Sequence, residues 1–240
     1  MTDVIDQVIS TLKQNSDEKT RHSGQNFFKE KVRLHGVKAA SVRAISKEFF
    51  NEIKGRSKSE IFGLCESLWQ AGHLEESFIA CDWSHRIHKQ YLPEDMKTFE
   101  TWIDSYLSNW ASCDTLCNYT IGTLLEMYPE QISEIEKWTA SSNRWKRRAS
   151  AVSLIVPARK GLFLANILSI ADSLLVDRDD LVQKGYGWML KAASQAHLNE
   201  VFDFVMARRE TMPRTAFRYA IEKMPRTMKA EAMKKTGEQP

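Results

Sequence analysis

An indole and a carboxylate stand one helical turn apart in the segment Asn109-Trp110-Ala111-Ser112-Cys113-Asp114. Residues i and i+4 share one face of a helix, so Trp110 and Asp114 point the same way if the segment is helical. A carboxylate can stabilise a developing positive charge, and an aromatic face adds roughly 0.5–2 kcal/mol of cation–π attraction when desolvated. Two plain structural interpretations compete: the indole packs in the core, and Asp114 caps a helix that starts near Ser112.

Three further segments combine aromatic and basic side chains at helical spacing. They are Ser141–Arg148, with Arg144, Trp145, Arg147 and Arg148; Val182–Leu190, with Lys184 and Trp188; and Phe27–Lys38, which begins Phe27-Phe28-Lys29 and ends Gly36-Val37-Lys38. Arg144 and Arg148 share a helix face, and a guanidinium can hold a phosphate with two parallel hydrogen bonds. Because solvated helix surfaces carry such residues too, each segment alone is weak evidence for a binding site.

The net charge of +3 is unevenly distributed along the chain. Residues 1–130 hold 15 basic and 19 acidic side chains, whereas residues 131–240 hold 19 basic and 12 acidic ones. Between Lys137 and Ala171 there is no acidic residue and there are seven basic ones: Lys137, Arg144, Lys146, Arg147, Arg148, Arg159 and Lys160. This basic stretch predicts a surface that faces a polyanion, and an ordinary solvated helix end is the alternative.

Metal and cofactor motifs are weak or missing. Cys113 and Cys117 lie at i and i+4 like half of a zinc site, but no second Cys/His pair with zinc-type spacing follows. His85 and His88 lack the carboxylate–histidine helix motif of a metalloenzyme. The chain has no glycine-rich phosphate loop, no Gly-x-Ser-x-Gly elbow and no dinucleotide fingerprint. We therefore expect no metal and no cofactor.

Apolar residues recur at helical spacing in segment after segment, and no Asn-Gly or Asp-Gly hairpin turn occurs, so the sequence predicts an all-α fold. Short links between consecutive helices predict stacked antiparallel pairs in a HEAT-like helical-repeat solenoid, with a non-repetitive bundle as the alternative. No linker divides the chain, so we expect one domain over residues 1–240, with a frayed tail from about 234. The predicted helices lie at about 3–14, 17–34, 39–54, 57–71, 74–90, 94–108, 111–127, 129–140, 142–157, 160–175, 178–196, 197–209 and 213–235.

Composition excludes several classes of protein. Hydrophobic content of 42% with 27% charged residues is ordinary for a globular chain and excludes disorder and fibrous folds. No run of about 18 apolar residues predicts a membrane span, and the amino terminus has no secretory-signal pattern. The four cysteines are too few for a disulfide scaffold, which favours a reduced, intracellular protein. We expect a monomer.

Taken together, the segments resemble the AlkD-like DNA alkylation repair proteins, a family of glycosylases built from HEAT-like repeats. The resemblance runs from about Phe27 to about Arg226, and it depends on the order and spacing of four motifs. These are the aromatic segment that ends at Gly36, Trp110-x-x-x-Asp114, Trp145-Lys146-Arg147-Arg148-Ala149 and Val182-Gln183-Lys184-Gly185-Tyr186-Gly187-Trp188.

The resemblance implies both a fold and a set of working residues. It places Trp110, Asp114, Arg148 and Trp188 on a concave basic face that binds double-stranded DNA with alkylated bases. Phe27 matches an aromatic that touches DNA near the lesion, and it lacks the hydroxyl of a tyrosine. Lys38 stands at a position where members of that family often have a polar, uncharged residue. Further DNA contacts are expected from Arg144, Arg147 and Lys184.

The implied activity is release of N3- and N7-alkylpurines, which are cationic and leave as neutral bases without a general acid. Asp114, Trp110 and Trp188 would then be the catalytic residues, and Arg148 would hold a phosphate. The motifs contain no Schiff-base lysine, so a monofunctional enzyme that leaves an abasic site is expected. Two alternatives are a non-catalytic scaffold of the same ancestry that binds DNA or protein, and a protein adaptor that uses the acidic amino-terminal half.

Overall fold

The computed structural model describes residues 4–234, and within that range the chain is helical with no strand. The predicted all-α class is therefore confirmed. Short 3-10 turns and one π-helical segment, Leu116–Ile121, connect or extend the α-helices. The α-helices are α1 (Val4–Gln14), α2 (Glu18–Gln25), α3 (Ala39–Ile53), α4 (Lys58–Ala71), α5 (Leu74–Arg86), α6 (Asp95–Tyr106), α7 (Trp110–Thr115), α8 (Gly122–Met127), α9 (Ile132–Trp138), α10 (Arg144–Val152), α11 (Ile155–Arg159), α12 (Leu164–Ser173), α13 (Asp180–Ala193), α14 (Leu198–Ala207), α15 (Arg214–Ile221) and α16 (Arg226–Met233).

The helices form two compact units, Met1–Thr120 and Ile121–Pro240. In the first unit α3, α5 and α7 pack in succession as one row, and α4 packs against both α5 and α6. In the second unit α10, α13 and α15 form a similar row, while α9 packs against α12. Each unit is thus built from helix pairs in two rows, as a helical-repeat fold requires. The expectation of one domain over residues 1–240 stays a prediction.

The predicted helix over 17–34 is wrong in its second half, because α2 ends at Gln25 and residues 26–38 form an irregular loop. Tertiary hydrogen bonds explain the loop. The Glu75 carboxylate, on α5, accepts the backbone N–H groups of His35, Gly36 and Val37 at 3.1, 2.8 and 3.1 Å. Three main-chain donors held by one buried carboxylate outweigh the local preference of the segment for helix.

Two other predicted helices are each divided into two at or near a proline. The helix expected over 142–157 divides into α10 and α11, because Pro157 has no N–H to offer the carbonyl four residues earlier. The helix expected over 213–235 likewise divides at Pro225, which precedes α16. The Ser57-x-x-Glu60 pattern forms a capping box at the start of α4: Ser57 accepts from the backbone N–H of Glu60, and the Glu60 carboxylate accepts from the backbone N–H of Ser57.

No helix in the described part of the chain is long and apolar enough to cross a membrane. The tail that was expected to fray lies outside the described residues, apart from Lys234.

Candidate functional site

Asp114 lies in the last turn of α7 and is buried, with 8% of its surface exposed. It is not a helix cap, because Asn109 caps α7 and accepts the backbone N–H of Ser112 at 2.9 Å. The Ser112 hydroxyl bonds that of Ser77 at 2.7 Å and so fixes α7 against α5. The chain then widens into the π-helical segment, where the Asn118 amide donates to the Asp114 carbonyl at 2.9 Å. π-Helical turns are frequent at functional sites, and nothing in the residue pattern predicted this one.

Trp110 occupies the first position of α7, on the same face as Asp114, and it is half-buried. Its indole N–H donates to the Phe27 carbonyl at 3.4 Å, and its ring lies 5.5 Å from that of Phe28, centroid to centroid. The Phe27 side chain itself is 72% exposed. The structure therefore brings Phe27, Trp110 and Asp114 together in the first unit, with one exposed ring, one half-exposed indole and one buried carboxylate.

The loop that carries Phe27 is held by a glycine that no other residue can replace. Gly36 has φ of +88°, and a Cβ there would lie 2.5 Å from the Asp17 carbonyl and 2.6 Å from the Arg21 Cβ. Only glycine tolerates both the left-handed backbone and this close approach. Lys38 follows at the start of α3, where it is exposed and makes no side-chain cap.

A groove of about 460 Å³ opens beside this site, and the motifs did not predict it. It lies between α3, α5 and the turn after Asp114, and its walls include Arg43, Asp82, His85, Thr115 and Tyr119. Burial, together with the neighbouring His88, lowers the pKa of His85. Asp82 accepts hydrogen bonds from Ser46 and Arg86. The groove thus presents aromatic rings that suit a planar group, beside a carboxylate already paired with Arg86.

Arg148 and Trp188 lie in the second unit, on α10 and α13. Arg148 is buried, and its guanidinium donates to the Leu181 carbonyl at the start of α13. Gly185, one turn further along α13, passes close to it: a Cβ there would stand 3.4 Å from the Arg148 Cγ. Trp188 is half-buried, whereas Trp145 is buried and its ring lies 4.8 Å from the Arg144 guanidinium.

The other basic candidates of this unit are paired with acids that follow the basic stretch. Arg147 binds Asp177 at 2.6 Å and the Ser141 carbonyl at 2.9 Å. Arg144 binds Asp179 at 2.8 Å, and Lys184 binds Asp180 at 3.2 Å. Lys137 and Lys160 are paired as well, with Glu134 and Glu126. Residues 137–171 contain no acidic residue, but acids from outside this stretch lie beside its basic side chains in the fold.

The four cysteines form no disulfide, and all are buried. Burial raises the pKa of Cys65 and of Cys81, so both thiols stay protonated. Cys113 and Cys117 have no exposed surface, and neither belongs to a metal-type cluster among the described residues. Their geometry is that of small packing residues.

Sequence reasoning missed several residues that shape the site. Glu75 positions the loop, Asn109 caps α7, and His85 and Tyr119 line the groove. A weak signal existed for Asn109, since asparagine before a helical pattern is a common cap. None existed for Glu75, because its partners lie about forty residues earlier.

Comparison with known proteins finds a matching family and a similar fold. The family model described as "DNA alkylation repair enzyme" matches residues 8–224. A solved structure titled "Predicted DNA alkylation repair enzyme from Enterococcus faecalis" is similar to this chain in fold, with a TM-score of 0.79 and 16% sequence identity. The similarity covers 88% of this chain and 98% of that one. A search of curated protein sequences finds no match to the chain.

Proposed function

The chain belongs to the DNA alkylation repair enzyme family, and we propose that it is a glycosylase that hydrolyses the N-glycosidic bond of cationic N3- and N7-alkylpurines in double-stranded DNA. The observation that carries this proposal is Asp114: a buried carboxylate, held rigidly in a capped helix, on the face of the half-exposed Trp110. A scaffold protein needs neither residue in that arrangement. The product would be an abasic site.

The protein does not need to protonate the leaving base, because an alkylated purine already carries the positive charge that makes it a good leaving group. When the C1′–N bond breaks, its electron pair stays with the departing base, which becomes neutral, and positive charge builds on the deoxyribose. Water adds its oxygen to C1′ and loses a proton. Asp114 stabilises the sugar cation electrostatically and orients the water, in the manner of one carboxylate of a glycoside hydrolase.

Aromatic and basic residues hold the substrate. Trp110 supports the sugar through its π-face, and the exposed Phe27 ring contacts the neighbouring DNA backbone. In the second unit, we assign Trp188 to the sugar–phosphate backbone and Arg148 to a phosphate. The Arg148 guanidinium donates to the Leu181 carbonyl, and a guanidinium carries five N–H donors.

If the enzyme contacts the DNA from the side of the sugar–phosphate backbone, the alkylated base stays outside any closed pocket. Bulky cationic adducts would then be excised along with methyl adducts. The groove near His85 and Tyr119 offers a contrasting route, in which the base leaves the stack and enters the groove. The size of the alkyl adduct that is excised distinguishes the two routes. A pocket would exclude a large adduct, whereas backbone-side recognition would not, and neutral lesions such as uracil should not be excised by either.

The decisive experiment measures 7-methylguanine release from alkylated duplex DNA by wild type and by Asp114→Asn. Removing the negative charge should cost about 2–4 kcal/mol of transition-state stabilisation, which is a rate loss of roughly 30- to 1000-fold, with DNA affinity retained. Asp104→Asn is the matched control, since it removes the same charge from an exposed position of α6.

Base release by Asp114→Asn at the wild-type rate would remove Asp114 from the mechanism. Wild-type protein that binds alkylated DNA but releases no base would instead identify a DNA-binding scaffold, and the glycosylase proposal would then be wrong.

A further inference from the structure

Two histidines and a glutamate meet at the start of α5, in the first unit and away from Trp110 and Asp114 in sequence. The candidate ligand atoms of His35, His73 and Glu76 all lie within 4.8 Å of one another. The His35 Nε2 is 2.6 Å from one Glu76 oxygen, and the His73 Nδ1 is 3.7 Å from the same oxygen. The two imidazoles stack with their centroids 4.0 Å apart. Glu76 is wholly buried.

The cluster holds two buried polar atoms without a hydrogen-bond partner among the described residues: the second carboxylate oxygen of Glu76 and the Nδ1 of His73. A buried polar atom without a partner is costly, and here two of them stand in one cluster. Protonating His73 leaves the Glu76 oxygen without a hydrogen bond, because the His73 Nδ1 lies 3.7 Å from the nearer carboxylate oxygen. A bound cation satisfies both orphan atoms at once.

The donor set suits a divalent transition metal. Two imidazole nitrogens and one carboxylate oxygen are ligands that zinc accepts in sites with three protein ligands and one open position. Bonds of about 2.0–2.2 Å to zinc require ligand atoms roughly 3.3 Å apart, so closing the site requires the ligand atoms to shift and the two imidazoles to turn out of their stack. His73 and Glu76 stand one turn apart at the start of α5, and His35 comes from the loop.

The surroundings hold the ligands in place and supply negative charge. Glu75 accepts the backbone N–H of His35 itself and of the next two residues, so the loop that presents His35 is fixed. One positive group, Arg33, lies near the α4–α5 link at Gly72. The carboxylates of Glu75 and Glu76 outnumber it, which leaves the cluster with net negative charge when the histidines are neutral.

We propose that His35, His73 and Glu76 bind one divalent transition-metal ion, of which zinc is the species best suited to these donors. The ion clips the loop over residues 26–38 to the start of α5. Because that loop also carries Phe27, whose carbonyl receives the Trp110 indole N–H, the clip steadies one wall of the proposed site. Its role is structural, and it does not depend on the proposed reaction. The proposal departs from the expectation of no metal, because these three ligands come from distant parts of the sequence and form no local motif.

The test uses the full chain, stripped with a chelator and titrated with Zn²⁺ and, separately, with Co²⁺. We expect one equivalent of zinc to bind, and a rise in Tm of about 5–10 °C at a hundredfold excess over Kd. Bound Co²⁺ should show the intense visible bands of a low-coordinate nitrogen–oxygen site. His73→Asn and Glu76→Gln should lose the zinc equivalent and the Tm shift, and His22→Ala, which removes an exposed histidine of α2, should keep both.

Three outcomes would overturn the proposal: no zinc bound by wild type, the weak spectrum of six-coordinate surface cobalt, or equal binding by the two ligand variants and wild type. The first indicates that water or a shared proton fills the cluster. If both ligand variants fail to fold, the stoichiometry and cobalt spectrum of the wild type decide. Loss of base release by Asp114→Asn tests a different residue, so the two proposals stand or fall separately.

Discussion

Two glycines of α13, Gly185 and Gly187, offer a sharp test of how closely the second unit is packed. They stand two residues apart in the same helix, and the test replaces each of them, separately, with alanine. A Cβ at Gly185 would meet the Arg148 and Val152 side chains at 3.4–3.5 Å, which is ordinary van der Waals contact. A Cβ at Gly187 would stand 2.7 Å from the Ala216 carbonyl of α15.

The two substitutions should therefore have opposite signs. Alanine is the better helix former by roughly 0.5–1 kcal/mol, and Gly185→Ala should gain that amount. Gly187→Ala gains the same propensity, but it must push the backbone of α15 away from α13, at an overpacking cost near the upper end of about 1–3 kcal/mol. The net loss should be about 2 kcal/mol, so the two variants differ by roughly 2–3 kcal/mol.

Thermal and urea unfolding, followed by circular dichroism, measure this difference. For a chain of this size 1 kcal/mol shifts Tm by about 2–4 °C, so Gly185→Ala should melt slightly above wild type and Gly187→Ala about 4–8 °C below it. Equal stability of the two variants would refute the close approach of α13 to α15. A loss at Gly185 would show instead that its contact with Arg148 has no room for a methyl group.

Three other predictions concern charge, thiols and pH. Arg148→Ala should weaken DNA binding equally on all sequences and reduce the slope of log K against log salt by roughly one unit; an unchanged slope with a lower Tm would make Arg148 a purely structural bond to α13. Cys113→Ala with Cys117→Ala should leave base release and zinc content unchanged, since both thiols are buried packing residues; activity that is lost and restored by zinc would contradict this. Burial lowers the pKa of His85, so below about pH 6.5 the unfolded chain binds more protons than the folded one, and stability should fall on acidification. In His85→Gln the fall in the urea midpoint should be shallower, and parallel profiles would exclude His85 as its source.

Features encoded within one or two helical turns were predictable from the sequence. Apolar periodicity predicted the all-helical class, because each helix closes its own hydrogen bonds over four residues. The shared face of Trp110 and Asp114 followed from the same spacing, and the Ser57 cap from a motif of four residues. The family likeness rested on such local motifs in a fixed order.

Features that join distant segments were decided only by tertiary structure. Arg144 and Arg147 are neutralised by acids some thirty residues away, and the loop before α3 is unwound by Glu75. His35 meets His73 only because that loop lies on α5. A local sequence pattern does not predict which carboxylate pairs with which donor. That pairing depends on how the helices pack, because buried polar groups need hydrogen-bond partners. The ion pairs of Arg144 and Arg147 and the proposed metal site therefore depend on the tertiary fold, whereas the helices that carry these residues are predictable from the sequence.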